Sequence, residues 1–541
     1  MAGSHAKVFD KFDYVIVGAG TAGCVLANRL SADPQIRVLV LEAGAKDSHP
    51  WIKIPIGYLY TMGNPKTDWC FETENEPGLN GRSLAYPRGK TLGGCSAING
   101  MIYMRGQARD YDQWRQMGNI GWAWDDVLPL FRASEDYAGG ESEFHGTNGE
   151  WRVEEQRLSW DILDAFREAC AEVGIAKTDD FNQGTNEGSG YFHVNQKRGV
   201  RWSAAHAFLH PVSGRHNLTV LTKAQVKKLI VDAGRVTGVE FWLDGVDAHA
   251  TATREVVLAS GAVGSPHILQ LSGIGSGKFL QQHGIDVMHE LKGVGENLQD
   301  HLQIRAVYKV NNVKTLNERS HSLFGKAGMC LEYFFLKRGP LTMAPSQLGV
   351  FTKSAPHIET PNLQYHVQPL SLDKFGEPLH SFPAITASVC NLRPESRGHV
   401  QVNGPDPRGK PIIRPNYLST VTDREIAANA LKLTRRIISA PAMSRYKPLE
   451  HLPGSHISSD EDLADAAGDI ATTIFHPVGT CKMGSDSMAV VDHRLRLRGL
   501  GGLRIADASI MPTITSGNTN SPTIMIAEKA AIMMFEDQQK L

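Results

Sequence analysis

Long apolar runs are missing from this 541-residue sequence: no stretch reaches the length that crosses a bilayer. Nothing near the N-terminus has the basic, apolar and small-residue order of a secretory signal, so a cytoplasmic protein is expected. Cysteine is also scarce. The seven present are odd in number and include no C-x-x-C pair, which argues against a disulfide scaffold and a cysteine zinc site, and no metal is expected. Neither sign of charge is in excess: 56 Lys and Arg against 57 Asp and Glu leave a net charge of -1, which gives nucleic acid no basic surface to bind. There is no internal repeat and no low-complexity tract, and Met1 to Ala6 match no structural pattern. What remains is a chain long enough for about two or three domains around a small-molecule site. Its oligomeric state is not legible.

The clearest folding signal runs from Phe12 to Gly44. Tyr14-Val15-Ile16-Val17 reads as an apolar strand, glycines follow, a helix continues through Leu30, and Arg37 to Leu41 forms a second strand. Strands that are apolar without alternation suit a parallel sheet covered on both faces. Gly18-x-Gly20-x-x-Gly23 opens the helix and Glu42 ends the second strand. The glycines let a pyrophosphate approach the helix N-terminus, beside Thr21 and Ala22, and the carboxylate suits adenosine ribose hydroxyls, with Ala43 next to it. This is a dinucleotide site. NAD and FAD are equally open at this point.

Downstream, residues 47–89 are rich in Pro, Gly and polar residues and read as a long excursion. Asp161 to Val173 has the spacing of a helix with one buried face, and Asn217 to Leu258 reads as short strands joined by turns at Asp232-Ala233-Gly234 and Asp244-Gly245. From about Gln303 to Ser419 the pattern is β-rich, with strands at Leu363 to Val367 and His399 to Val402, and suggests a second domain on a largely antiparallel sheet. Within it Leu363, Tyr365 and Val367 alternate with Gln364 and His366, so one of those faces should line the substrate pocket. Thr422 and Glu425 have capping-box spacing ahead of a further helix.

Three more segments separate the two cofactors. Gly89-Lys-Thr-Leu-Gly-Gly-Cys-Ser-Ala-Ile-Asn99, the stretch SGAVGSPHILQLSGIG from Ser260 to Gly275, and Gly293 to His301 resemble the signatures of the glucose–methanol–choline oxidoreductases, and the C-terminal block from His476 to Thr523 extends the resemblance over nearly the whole chain. Its nearest likeness is to bacterial choline and alkanol dehydrogenases. The resemblance implies an α/β fold, α+β overall: a Rossmann-like FAD-binding domain from residues 1–155, 205–302 and 465–541, and a substrate domain from 156–204 and 303–464. It implies FAD, with Arg88, Gly94, Cys95, Asn99, Gly100 and Met101 along the pyrophosphate and isoalloxazine. Cys95 departs from the usual Gly, Ser or Thr there. Val226 would present its backbone to adenine, and Asp507, Ala508, Thr519 and Asn520 would line the pyrophosphate and ribityl region. Some family members attach flavin through a histidine at the position of Ile98, so here FAD is expected to be non-covalent.

The same resemblance places the catalytic base at His476, within Phe-His-Pro-Val-Gly-Thr, and its partner at Asn518. Alcohol oxidation needs the hydroxyl proton removed as hydride leaves for flavin, and an imidazole titrates near the working pH. A neutral amide can orient the alcohol and stabilise a developing alkoxide. Asn520, two residues on, competes for that part, while His145, His301 and His493 are read as ordinary structural histidines. The implied reaction is oxidation of an alcohol, with a primary one favoured, to the aldehyde. The electrons would go to a quinone, which would imply peripheral attachment to a membrane, to another carrier, or to O2 with release of H2O2. A flavin-containing hydroxynitrile lyase is the rival from another class.

Overall fold

A computed structural model describes residues 7–321, 323–373 and 377–539; Met1 to Ala6 lie outside it. The first sheet is built around β1 (Lys7–Val17), followed by α1 (Thr21–Leu30) and β2 (Val38–Glu42). Leu218–Thr222, β2, β1, Val246–Leu258 and Leu503–Ile505 pair in parallel, and the antiparallel strands Arg235–Leu243 and Ala224–Asp232 extend the sheet from Val246–Leu258. Val15, Ile16, Val38, Leu39 and Val40 are fully buried, as continuously apolar central strands require. α1 packs against the C-terminal helix Asn520–Gln538, where Arg29 Nη2 and Nε pair with Glu528 at 2.7 and 2.8 Å. The chain therefore closes this layer with its two ends.

The second sheet is antiparallel, in the order Leu449–Leu452, Leu302–Lys309, Ala384–Asn391, Leu363–Gln368, Leu348–Thr352, Gly188–Tyr191, with Ala471–Thr473 also pairing with Leu302–Lys309. One face carries Ile304, Leu363, Tyr365, Val367 and Val389 into a core shared with the helices Asp161–Glu172 and Val421–Ile438. The opposite face of the strand, with Gln364, His366 and Gln368, turns toward the first sheet.

Several elements fall differently from the sequence reading. The β-rich stretch contains two helices, Leu316–His321 and Leu323–Leu336, the second ending in Tyr-Phe-Phe-Leu, whose three aromatics favour strands in isolation. The helix expected behind Thr422 starts earlier: Thr420 is its N-cap, its hydroxyl accepting from the Asp423 N–H at 3.1 Å. Both threonines have an acid three residues on. Tertiary contacts decide, because the Asp423 carboxylate also accepts from Ser396 N at 2.8 Å and Glu395 N at 3.0 Å. Ala471–Thr473, assigned by sequence to the cofactor part, lies in the second sheet. Conversely, the hairpin His399–Gln401 with Ile412–Arg414 packs Val400 and Ile413 against Val263 and Leu298 on the cofactor side.

Candidate active site

A cavity of about 520 Å³ is lined by both layers. Of the site residues expected from sequence, all line it except Gly23. Gly23 works from behind the turn: a Cβ there would sit 1.9 Å from the Gly18 carbonyl oxygen, so only glycine lets α1 start this close to β1. Gly94 has φ +51°, and a Cβ on it would approach Gly20 Cα to 2.7 Å. The two glycine segments thus meet backbone to backbone at the cavity wall.

Glu42 accepts Ala19 N–H at 2.9 Å on one oxygen and Gly44 N–H at 2.7 Å on the other. Burial raises its carboxyl to about 7 against these two donors. Each oxygen retains a lone pair for a sugar hydroxyl. Asp507 is held likewise by backbone N–H groups: Gly261 N at 2.9 Å and Ser509 N at 2.8 Å, with Ser265 Oγ at 2.6 Å. Arg88, Lys90, Arg408 and Lys410 also line the cavity, four cations against these two carboxylates, a balance that suits a diphosphate. The glycine cradle, the paired acid and this positive lining fit FAD.

His476 is 7 % exposed, and its backbone N–H donates to Asp300 Oδ1 at 2.7 Å. That carboxylate is a hub, accepting also from His301 N at 2.9 Å, Thr473 Oγ1 at 2.6 Å, Tyr417 OH at 2.5 Å and Tyr86 OH at 3.0 Å. It fixes the backbone that carries both histidines. His301, read from sequence as a structural histidine, is in fact packed on His476, Nδ1 to Nδ1 at 3.1 Å.

The protons on this pair follow from their partners. Burial pushes His301 down to about 4, and burial first, then the neighbouring His301 and His366, push His476 well below the usual imidazole range, so both rings are neutral at pH 7. His301 Nε2 faces the Leu392 carbonyl oxygen at 3.0 Å, which can only accept, so the His301 proton sits on Nε2. Its Nδ1 is then an acceptor, and the proton of His476 must lie on Nδ1. This leaves His476 Nε2 with a free lone pair. Asn518 Nδ2 donates to it at 3.0 Å, and Gln364 Nε2 donates to Asn518 Oδ1 at 3.2 Å, which fixes the amide's orientation. Asn520 takes no part: its Oδ1 accepts from Thr21 Oγ1 at 2.7 Å, tying the C-terminal helix to the glycine turn.

Asn99 Oδ1 accepts Met101 N at 3.0 Å and Arg201 Nη1 at 2.9 Å, and Met101 holds φ +61°. Arg88 Nη2 donates to the Phe475 carbonyl at 2.7 Å, next to His476, and Gly89 N–H points at Cys95 Sγ, 3.4 Å away. Sequence reasoning did not single out Gln303, Pro345, Ser346, Gln368, Ile474 or the loop Pro407–Pro411, all of which line the cavity. The alternation around His366 was the only signal for that wall. The loop gave none, since it lies far along the chain from the glycine motif.

Among the described residues no helix is long and apolar enough to cross a membrane. The GMC oxidoreductase N-terminal model matches residues 12–303 and the C-terminal one residues 394–527. The chain is 42 % identical over 524 residues, 96 % of its length and 95 % of the relative's, to an alcohol dehydrogenase [acceptor] of Pseudomonas putida. It is 40 % identical over 521 residues, 96 % and 94 % of the two chains, to an oxygen-dependent choline dehydrogenase of Brucella anthropi. The crystal structure of a pyridoxine 4-oxidase from Mesorbium loti superposes with a TM-score of 0.88 at 32 % identity, over 96 % of this chain and 99 % of that one. With a cavity that fits the dinucleotide and these matches across both parts of the fold, the chain belongs to the GMC oxidoreductases, FAD-dependent enzymes that act on CH–OH donors.

Proposed function

We propose that the protein oxidises an uncharged primary alcohol to the aldehyde, with His476 as base and Asn518 as its partner, and passes the electrons to a quinone or another carrier. The observation that carries this reading is the chain in which Asn518 donates to His476 Nε2, His476 Nδ1 donates to His301 and His301 Nε2 donates to the Leu392 carbonyl, which leaves the Nε2 of a neutral, buried His476 unprotonated within the dinucleotide cavity. An alcohol entering there displaces the Asn518 N–H from that lone pair and gives its hydroxyl proton to Nε2; the freed amide then donates to the alcohol oxygen as charge develops on it. FAD held by the glycine segments, Glu42 and Asp507 would supply the hydride acceptor. The imidazolium formed keeps its Nδ1–H on His301, so the new charge is not left without a partner in the buried site. Ile98, buried at the cavity wall, has no side-chain atom that could bond to a flavin, which supports non-covalent FAD.

The lining supports an uncharged substrate. Among the described residues the cavity's only carboxylates are Glu42 and Asp507, both engaged by backbone N–H groups, so a quaternary ammonium would meet no counter-charge. The wall beside Asn518 is the face carrying Gln364, His366 and Gln368, and burial holds His366 near 3, permanently neutral. Such a wall exchanges hydrogen bonds with hydroxyl or ring-nitrogen substituents. The test is anaerobic flavin bleaching across neutral primary alcohols and choline, followed by quinone or air. Bleaching by neutral alcohols with slow reaction toward choline is expected; choline as the best substrate would overturn the substrate assignment, and no bleaching by any alcohol would favour a lyase.

A further inference from the structure

Away from the cavity, three side chains have the composition and spacing of a metal centre. Asp47 is buried at the start of the excursion, and His206 and His210 lie four residues apart, on the π-helical turn Ala205–Leu209 and at the head of the turn His210–Val212. Asp47 Oδ2 is 2.9 Å from His210 Nε2 and 3.5 Å from His206 Nδ1, and one donor atom from each residue lies within 4.8 Å of the others. None of the three lines the cavity.

We propose that Asp47, His206 and His210 bind a divalent cation of the zinc class and that this ion clamps the start of the excursion to the Ala205–Val212 segment. Two imidazoles and a carboxylate, completed by water, are a ligand set that zinc accepts. Ligand bonds of about 2.1 Å in a tetrahedron put donor atoms about 3.4 Å apart, and the two Asp47 separations, 2.9 and 3.5 Å, fall on either side of that value. Small ring rotations would close the set. Lys53, the cation whose charge reaches both imidazoles, is exposed and free to turn toward solvent. The sequence hid the site because its acid stands far from its histidines in the chain, and His206-x-x-x-His210 by itself offers only two ligands.

The clamp joins two elements that shape the cofactor cavity. The excursion beyond Asp47 supplies Met62, Trp69 and Phe71 to the lining. On the other side, Ala204 N–H donates to Ser96 Oγ at 2.9 Å, so the histidine segment braces the second glycine-rich stretch. A bound ion would therefore stiffen the cavity's outer wall without touching the chemistry.

The test uses the FAD-loaded enzyme after chelator treatment and dialysis. Titration calorimetry with zinc chloride should show one equivalent binding with a micromolar dissociation constant. His206→Ala and His210→Ala should each weaken it at least about tenfold, and the double variant should lose it while keeping its flavin absorbance. Trypsin cleavage after Lys53 and Lys66 should slow with zinc in the parent and not in the double variant. Absence of saturable binding, or equal binding by parent and double variant, would overturn the site. Zinc that binds with no change in cleavage would overturn the clamp.

Discussion

Replacing His301 with leucine removes the acceptor that holds the His476 proton on Nδ1. In the parent, the Leu392 carbonyl fixes the His301 tautomer and His301 fixes that of His476. In His301→Leu the His476 Nδ1–H is buried with no acceptor, at a cost of about 1–3 kcal/mol, and the tautomer with its proton on Nε2 becomes competitive. That tautomer has no lone pair facing Asn518 and cannot take the alcohol proton. Converted at 1.36 kcal/mol per decade, the rate constant for flavin reduction should fall about 5- to 150-fold. The assay is anaerobic stopped-flow reduction with saturating alcohol, where the limiting rate should drop and the half-saturating alcohol concentration change little. His301→Gln keeps an acceptor oxygen and an N–H and should recover much of the rate. A flavin-loaded His301→Leu enzyme reduced at the parental rate would refute the tautomer argument.

Two further outcomes follow from the same geometry. Asn518→Ala should cost roughly 3 kcal/mol in the reductive step, as loss of a positioned donor does, whereas Asn520→Ala should loosen FAD through Thr21 and leave the limiting reduction rate near the parental one; the reverse pattern would assign the amide to Asn520. The folded pKa of His476 is depressed, so the base is active above that value and lost only as pH falls through it: reduction should be flat around neutrality with a single acid limb below pH 6.5, and a limb centred above pH 7 would contradict the burial argument.

The parts of this site that a sequence exposes are those governed by local code. The turn from Gly18 to Gly23, the strand delivering Glu42 and the short block around His476 each need particular residues at fixed spacing, because backbone must approach backbone or cofactor there. The alternation at Leu363–Val367 marked two faces, and only packing against Asp161–Glu172 and Val421–Ile438 decides that the polar one faces the cavity. His301 escaped because its meaning lies in a contact 175 residues away in sequence, with nothing around it except a resemblance motif. The helix starts at Thr420 rather than at Thr422 for a similar reason: both have helix-start chemistry, and the long-range bonds of Asp423 select between them.

The central claim is that the lone pair on His476 Nε2 takes the alcohol proton. Anaerobic stopped-flow reduction of His476→Ala tests it most directly. The variant should retain FAD and be reduced about two to four orders of magnitude more slowly than the parent. A flavin-loaded variant reduced by alcohol at the parental rate would contradict it.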